Sequence, residues 1–512
     1  MRQFSLFLKG ALLLTAAGLL SRFLGFFYKI FLAHALGAEG MGIYQLIFPV
    51  FAVCHALTAS GIETALARFT ACSDQKDSGE FLRAGLVLSL AASCAAAFVL
   101  WGFSEPLAVR LLHESRCAVP LQILACSLPL SAVHCCFSGF CLGRKKAGLP
   151  AAAQLVEQAV RIGAVWVLCA VYAQEGRAVT PVPAVLGLLA GEAGSALFML
   201  TFSSGVFSGP SSFRALLSKA RTLLSMAVPL TGTRLSLTLL QSAEAVLIPV
   251  SLRRYGMSSA DALSLYGILT GMSLSFLMFP NAVTGSISAM LLPVISEEQA
   301  RGNEKKISLA VEGTLLFGLS MGILCMGLFL YFGRELGEAV FHEPLAGEFL
   351  RTLAWICPFL YLTGNLNSIL HGLGKTSATF FNQLAAVLVR ILFLVLFVPF
   401  FGIQGVLWSI LASQLLLCVL GLLAVSPHVT PALGLDLYVI RPAAAMILSI
   451  GGVHLLKQFR LLSFLSALPG LLALAANIAL AAVVYLALLL LFGGLRLLRL
   501  LRPGRPASSR HK

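Results

Sequence analysis

Apolar runs follow one another along this chain, each about as long as a bilayer is thick, with charged or Gly/Pro/Ser-rich connectors between them. A helix rising about 1.5 Å per residue needs about 20 apolar residues to cross about 30 Å of hydrocarbon. That spacing predicts fourteen spans, at 9–33, 40–66, 81–103, 117–141, 152–173, 179–203, 221–250, 262–294, 309–332, 349–373, 378–400, 404–424, 439–456 and 467–492. Strands of about ten residues with alternating polarity, the mark of a membrane β-barrel, do not occur. The expected fold is an all-α polytopic membrane protein. Pro49, Pro129, Pro229, Pro280 and Pro358 lie within spans and should kink or break helices. The clearest discontinuity is FPNAVTGS at 279–286.

The spans fall into two copies of one unit. Pro129, Gly143, Lys146, Gln154 and Arg161 recur at the same spacing as Pro358, Gly372, Lys375, Gln383 and Arg390, 229 residues later. At an offset of 212, Arg22 falls on Arg234 and Lys29 on Gln241, and IYQLI at 43–47 meets LYGIL at 265–269. Six spans per copy is an even number, so both copies enter the membrane in the same direction. Their pseudo-twofold axis then runs along the membrane normal. This gives a first six-helix lobe at 1–205, a second at 206–425, two added spans at 426–492 and a basic tail at 493–512. The connector SSGVFSGPSSFRALLSKAR marks the boundary between the lobes.

Composition agrees with the spans: 58% of the 512 residues are hydrophobic and 11% charged, against about 25% charged in a soluble domain. The net charge of +15 sits at loop ends, not in a basic domain, so nucleic acid is not an expected partner. With the N-terminus inside, 22 Lys and Arg fall on the cytoplasmic side and 9 on the other. That bias predicts a bacterial cytoplasmic membrane protein with both termini in the cytoplasm. Arg496, Arg499 and Arg502, spaced among leucines, predict an interfacial helix on anionic lipid. Arg2, Lys9 and the apolar run after them resemble a signal peptide, but Arg22 and Lys29 interrupt the run, so it is expected to be a retained first helix.

Five cations and several acids remain inside spans. Gly18, Arg22, Gly25 and Lys29 share one stripe of the first span, and Arg234, Thr238, Gln241 and Glu244 one stripe of the seventh. A cation at mid-membrane costs about 2.5–3.5 kcal/mol on insertion scales and usually faces a bundle interior or a wet cavity. Arg22, Lys29, Arg161, Arg234 and Arg390 could therefore line a cavity for an anionic substrate. Alternatively, Lys29 snorkels to the interface and the seventh-span stripe is a hydrogen-bonded seam. Glu157 lies four residues before Arg161, which suits an ion pair on one helix face, whereas Ala386 and Leu394 flank Arg390 at that spacing and leave it the freer of the two. Glu63, Glu157, Glu192, Glu244 and Glu312 either balance these cations or couple transport to H⁺ or Na⁺. His55 and His134 are expected to be buried polar groups.

Catalytic and nucleotide-binding motifs are lacking, so neither an enzyme nor an ATP-driven pump is expected. The twelve cysteines form no CxxC pair and mostly occupy apolar segments, where cysteine behaves as a small hydrophobe. No cofactor or metal is expected, and drive would come from the membrane potential, H⁺ or Na⁺.

KGALLLTAAGLLSRFLGFFYKIFLAHALGAEGMGIYQLIFPVF at 9–51 resembles the stage V sporulation protein B group of polysaccharide-export proteins, within the MATE-like (MOP) flippase superfamily. Further matching stretches are SGIETALARF at 60–69, EAVLIPVSLRRYGMSSADALSLYGILTGM at 244–272 and FPNAVTGSISAMLLPVISEEQARGN at 279–303. The resemblance implies a flippase for a lipid-linked oligosaccharide, with two six-helix lobes around a central cavity. SRFLGF at 21–26 is also similar to the first helix of MurJ-type lipid II flippases, which implies that Arg22 faces the cavity. Two further cations of that pattern correspond to His55 and Ser275 here, and a third falls on Tyr28, one residue before Lys29. Lipid II or a related envelope or spore-cortex precursor is the implied cargo for a monomeric carrier that could work beside cell-wall synthesis proteins. The alternatives are a cation-coupled drug exporter on the same fold, or a membrane scaffold without transport.

Overall fold

The computed structural model describes residues 2–176, 179–202, 213–428, 436–459 and 470–501, with side chains from Thr15 onward except at 75–76, 289–290 and 493–501. The proposed lobe boundary at 205/206 and the basic side chains Arg496, Arg499 and Arg502 lie outside the described residues. Among the described residues there are no strands, and thirteen helical runs are long and apolar enough to cross a membrane. The first, Thr15–Ala71, bends at Gly37, whose φ of 68° and ψ of −178° are not helical. Each arm on either side of that bend is itself long enough to cross, which accounts for the fourteenth span.

The chain starts with α1 (Arg2–His55), passes a π turn at Ala56–Ser60 and continues as α2 (Gly61–Ala71). Then come α3 (Gln75–Gly102), α4 (Ala118–Gly143), α5 (Gly148–Gln174), α6 (Pro181–Phe202) and α7 (Phe213–Arg254). The eighth span consists of α8 (Ser259–Gly267), a π turn at Ile268–Ser273 and α9 (Leu274–Met278). It ends at Phe279–Pro280, where the chain bends before α10 (Asn281–Ala300) begins. The expected single span 262–294 is thus interrupted at the predicted FPNAVTGS break, because proline lacks the N–H needed to continue the ladder. Pro49, Pro129 and Pro229 lie instead inside continuous helices.

The remaining helices are α11 (Glu304–Leu336), α12 (Pro344–Leu353), α13 (Cys357–Gly372), α14 (Thr376–Leu396), α15 (Ile403–Val425), α16 (Arg441–Gln458) and α17 (Gly470–Leu501). By contact the chain divides into two compact units, one of residues 1–279 and 387–409, the other of 280–386 and 410–512. In the first unit Ile62, Leu66, Leu82, Phe137 and Leu223 join a core built from α2, α3, α4 and α7. In the second unit Val311, Leu315, Leu366, Leu370 and Cys418 do the same for α11, α13 and α15.

The sequence repeat has a structural counterpart at the ends of α4 and α13. Arg144, Lys145 and Lys146 donate their amides to Phe140, Leu142 and Cys141 at 3.0, 3.0 and 2.8 Å. Leu373, Gly374 and Lys375 donate theirs to Ile369, His371 and Leu370 at 2.9, 3.0 and 2.8 Å. Both ends need one left-handed residue: Lys145 at φ 59° in one copy, Gly374 at φ 73° in the other. Gly143 and Gly372 precede these turns at points of close helix approach. A Cβ on Gly143 would stand 2.5 Å from the Ala67 carbonyl, and one on Gly372 would stand 2.8 Å from Cβ of Ile295. A non-glycine residue in the left-handed region costs about 1–2 kcal/mol. Lys145→Gly should therefore raise, and Gly374→Ala lower, the thermal unfolding midpoint of the detergent-solubilised protein, each by about 1 kcal/mol in stability. Equal and unsigned effects at both sites would refute the equivalence of the two turns.

Candidate functional site

All five intramembrane cations and the acids Glu63, Glu157, Glu192 and Glu244 belong to the first unit. On the first arm of α1, Phe23 and Phe26 stack edge-on or tilted against Phe276 and Phe279, fixing the helix's rotation against α9 and the residue that follows it. That rotation leaves Arg22 exposed, with no ion-pair or hydrogen-bond partner among the described residues. A Cβ built on Gly18 or Gly25 would meet nothing within 4 Å, so the stripe around Arg22 borders open space. One turn further, Lys29 Nζ donates to Ser275 Oγ at 3.3 Å. Ser275 is a position where the flippase resemblance predicts a cation, and Lys29 brings its ammonium there from another helix.

Arg234 on α7 is exposed along part of its length, yet its guanidinium is held by the second span. Its Nη1 donates to the Ser60 carbonyl at 2.9 Å and its Nη2 to Thr64 Oγ1 at 3.1 Å. Ser60 closes the π turn at Ala56–Ser60, and in that turn the Thr58 carbonyl also accepts a bond from Ser89 at 2.7 Å. Widening a helix to π geometry shifts carbonyls out of the regular ladder, and such turns recur at functional sites. Ser275 lies two residues beyond the π turn at Ile268–Ser273, one of several π turns among the described residues. Nothing in the spacing of Ser60, Thr64 or Ser275 along the chain marks them as partners of Arg234 and Lys29; the family resemblance alone draws attention to these positions. Thr238 bonds the Arg234 carbonyl of its own helix at 2.9 Å, and Gln241 is exposed.

The expected freedom of Arg390 is corrected by the structure. Arg390 Nη1 stands 2.9 Å from Glu244 Oε1, with side chains 23% and 12% exposed. Its carboxylate comes from α7, which no spacing along α14 could disclose. Arg161 pairs with Glu157 on its own helix, as the four-residue spacing predicts. A Cβ on Gly191 of α6 would lie 2.9 Å from the Glu157 carbonyl and 3.1 Å from Cβ of Arg161, so α6 presses this pair closely. Each arginine of the repeat thus has its own carboxylate, one local and one distant.

His134 on α4 joins this region. Its Nδ1 lies 3.1 Å from Ser195 Oγ, 3.8 Å from Glu157 Oε2 and 4.0 Å from Glu192 Oε2. His55 is similarly placed, its Nε2 3.5 Å from Cys135 Sγ. Glu63 lies within the field of Arg234. Chemically, the five intramembrane cations, among the described residues, comprise one open guanidinium, two cations held by neutral oxygens and two guanidinium–carboxylate pairs, with the His134 imidazole between two acids beside them. That inventory suits recognition of an anion and exchange of a small cation.

Residues 7–299 match the model of the family described as polysaccharide biosynthesis protein, and residues 239–396 match the MatE family model. The chain is 27% identical over 439 residues to stage V sporulation protein B of Bacillus subtilis (strain 168), covering 82% of this chain and 83% of that protein. It is 22% identical over 453 residues to lipid II flippase MurJ of the same organism, covering 80% of each. Among solved structures, lipid II flippase MurJ in an inward closed conformation superposes with a TM-score of 0.72 at 13% identity, over 94% of this chain and 98% of that one. An inward-facing multidrug resistance MATE family transporter of the MOP superfamily gives 0.63 at 13% identity, over 82% and 98%. The structural likenesses establish the fold, and the family match runs over more than half of the sequence. The chain belongs to the polysaccharide biosynthesis protein family and is a multi-pass membrane protein with the MOP superfamily fold.

Proposed function

We propose that this protein is a flippase that moves a lipid-linked oligosaccharide across the cytoplasmic membrane by alternating access between two six-helix lobes. The observation that carries the reading is Arg22, an exposed guanidinium on an apolar helix, flanked by Gly18 and Gly25 with open space beside them. An uncompensated cation in such a helix is costly, and a pyrophosphate passing through would offset that cost. Arg22 is the primary contact to the pyrophosphate, since a guanidinium fork matches phosphate oxygens. Lys29 and Arg234 form the rest of the cationic wall, while Arg161 and Arg390 add cations whose charge a carboxylate offsets until an anion competes for them. The lipid tail stays in the bilayer while the sugar crosses through the polar interior. Lipid II or a related envelope or spore-cortex precursor is the proposed cargo, in keeping with the names of the relatives. Both termini are cytoplasmic, the basic tail rests on anionic lipid, and the carrier works as a monomer, beside cell-wall synthesis proteins.

Expression of this chain in a bacterium depleted of its lipid II flippase should restore growth and wall synthesis. Failure to rescue, with the protein present in the membrane, would exclude lipid II as cargo. Binding then separates the remaining readings. Affinity for a polyprenyl pyrophosphate sugar far above that for the polyprenyl alcohol supports the flippase. Proton-linked efflux of cationic dyes without such affinity supports a drug exporter, the reading that the MatE match and the buried acids favour.

A further inference from the structure

The three helices α4, α5 and α6 enclose a set of ionisable groups whose charges do not balance. Glu157 is neutralised by Arg161 on the same helix. Among the described residues Glu192 makes no ion pair with a lysine or arginine: the residue is 8% exposed, and its Oε2 lacks a hydrogen bond. The Arg161 guanidinium, paired with Glu157, also attracts the Glu192 carboxylate, and Ser195, one turn on, donates to the Glu192 backbone carbonyl at 3.1 Å. With both acids ionised and His134 neutral, the set carries one negative charge in excess. An unpaired charge buried away from water costs several kcal/mol or more, so something of charge +1 belongs there.

We propose that His134 and Glu192, with Glu157 and Arg161 as fixed neighbours, form a binding site for one exchangeable proton. A proton fits the geometry better than a sodium ion. His134 Nδ1 stands within 4.0 Å of a carboxylate oxygen of each acid, and an imidazolium there is attracted to both. The other groups facing the site are Tyr28 and Tyr44 from α1, each acting on or acted on by Arg161, His55 from α1, Glu63 from α2 and Cys135 from α4. None of these supplies a second cation to Glu192. Side chains of His134 and Glu157 are 16% and 14% exposed, which gives a proton a way in through them. The site stands whatever the cargo is, so it does not depend on the flippase reading.

The test uses full-length protein in liposomes and dicyclohexylcarbodiimide, which modifies carboxyl groups in their protonated form. Labelling of Glu192, read by peptide mass spectrometry, should fall at least tenfold between about pH 5 and pH 9, whether or not sodium is present. His134→Gln should move the midpoint of that fall. Infrared difference spectra over the same pH step should show loss of a protonated carboxyl band that is missing in Glu192→Gln, which guards against a reagent that cannot reach the site. Protection by sodium at constant pH overturns the proposal in favour of a sodium site. Flat labelling together with an unchanged carboxyl band overturns it outright.

Discussion

Arg22→Ala is expected to abolish transport while leaving the protein folded and abundant in the membrane. The guanidinium has no ion-pair or hydrogen-bond partner among the described residues, so truncating it breaks no contact that holds α1 in place. Removing a cation from an apolar span also relieves a cost of about 2.5–3.5 kcal/mol on insertion scales. The thermal midpoint should therefore be equal to or above wild type. A lost hydrogen bond to a charged group weakens binding by about 1.5–3 kcal/mol, which is about 10- to 150-fold in affinity for a pyrophosphate lipid. Arg22→Lys should recover part of that loss, because it restores the charge but not the two-pronged donor geometry. Rescue of a flippase-depleted strain and binding of the lipid, measured on the same variants, provide the check. Full function in Arg22→Ala at normal abundance would remove the cationic-wall reading.

The second expectation concerns stability. Glu244→Ala should destabilise the protein markedly, because the Arg390 guanidinium then loses the carboxylate 2.9 Å away in a largely buried setting. Breaking a fully buried pair costs about 3–5 kcal/mol. The Arg390 side chain is 23% exposed, so water will offset some of this and the low end of that range is expected. Glu244→Ala combined with Arg390→Ala should be more stable than the sum of the single changes, with a coupling energy of about 1 kcal/mol or more. Thermal unfolding in one detergent at one pH measures all four corners of the cycle. Strict additivity would mean that the pair contributes nothing to the fold. The corresponding cycle on Glu157 and Arg161 carries a different meaning, since those residues share one helix and meet wherever that helix forms.

These two pairs show where a chain can be understood from its order of residues and where it cannot. Apolar length predicts the spans, because each must cover the same thickness of hydrocarbon and satisfy its backbone internally. The duplication is equally visible, and it returns as two matching turns at Lys145 and Gly374, since a local backbone turn depends on a few adjacent residues. The break at Pro280 is legible for the same reason. Glu157–Arg161 follows from a spacing of four.

Everything that depends on which helix lies beside which is hidden. Lys29 meets Ser275 across 246 positions, Arg390 meets Glu244 across 146, and Arg234 meets Ser60 across 174. A membrane helix shows its neighbours through packing of small residues and shape, not through polarity, because lipid and protein interior are about equally apolar. Thus the type, number and local charge pairing of the helices were written along the chain, set by forces acting within one helix and its solvent. Packing between helices distinguished the open cation from the paired ones, and it alone set His134 between two acids.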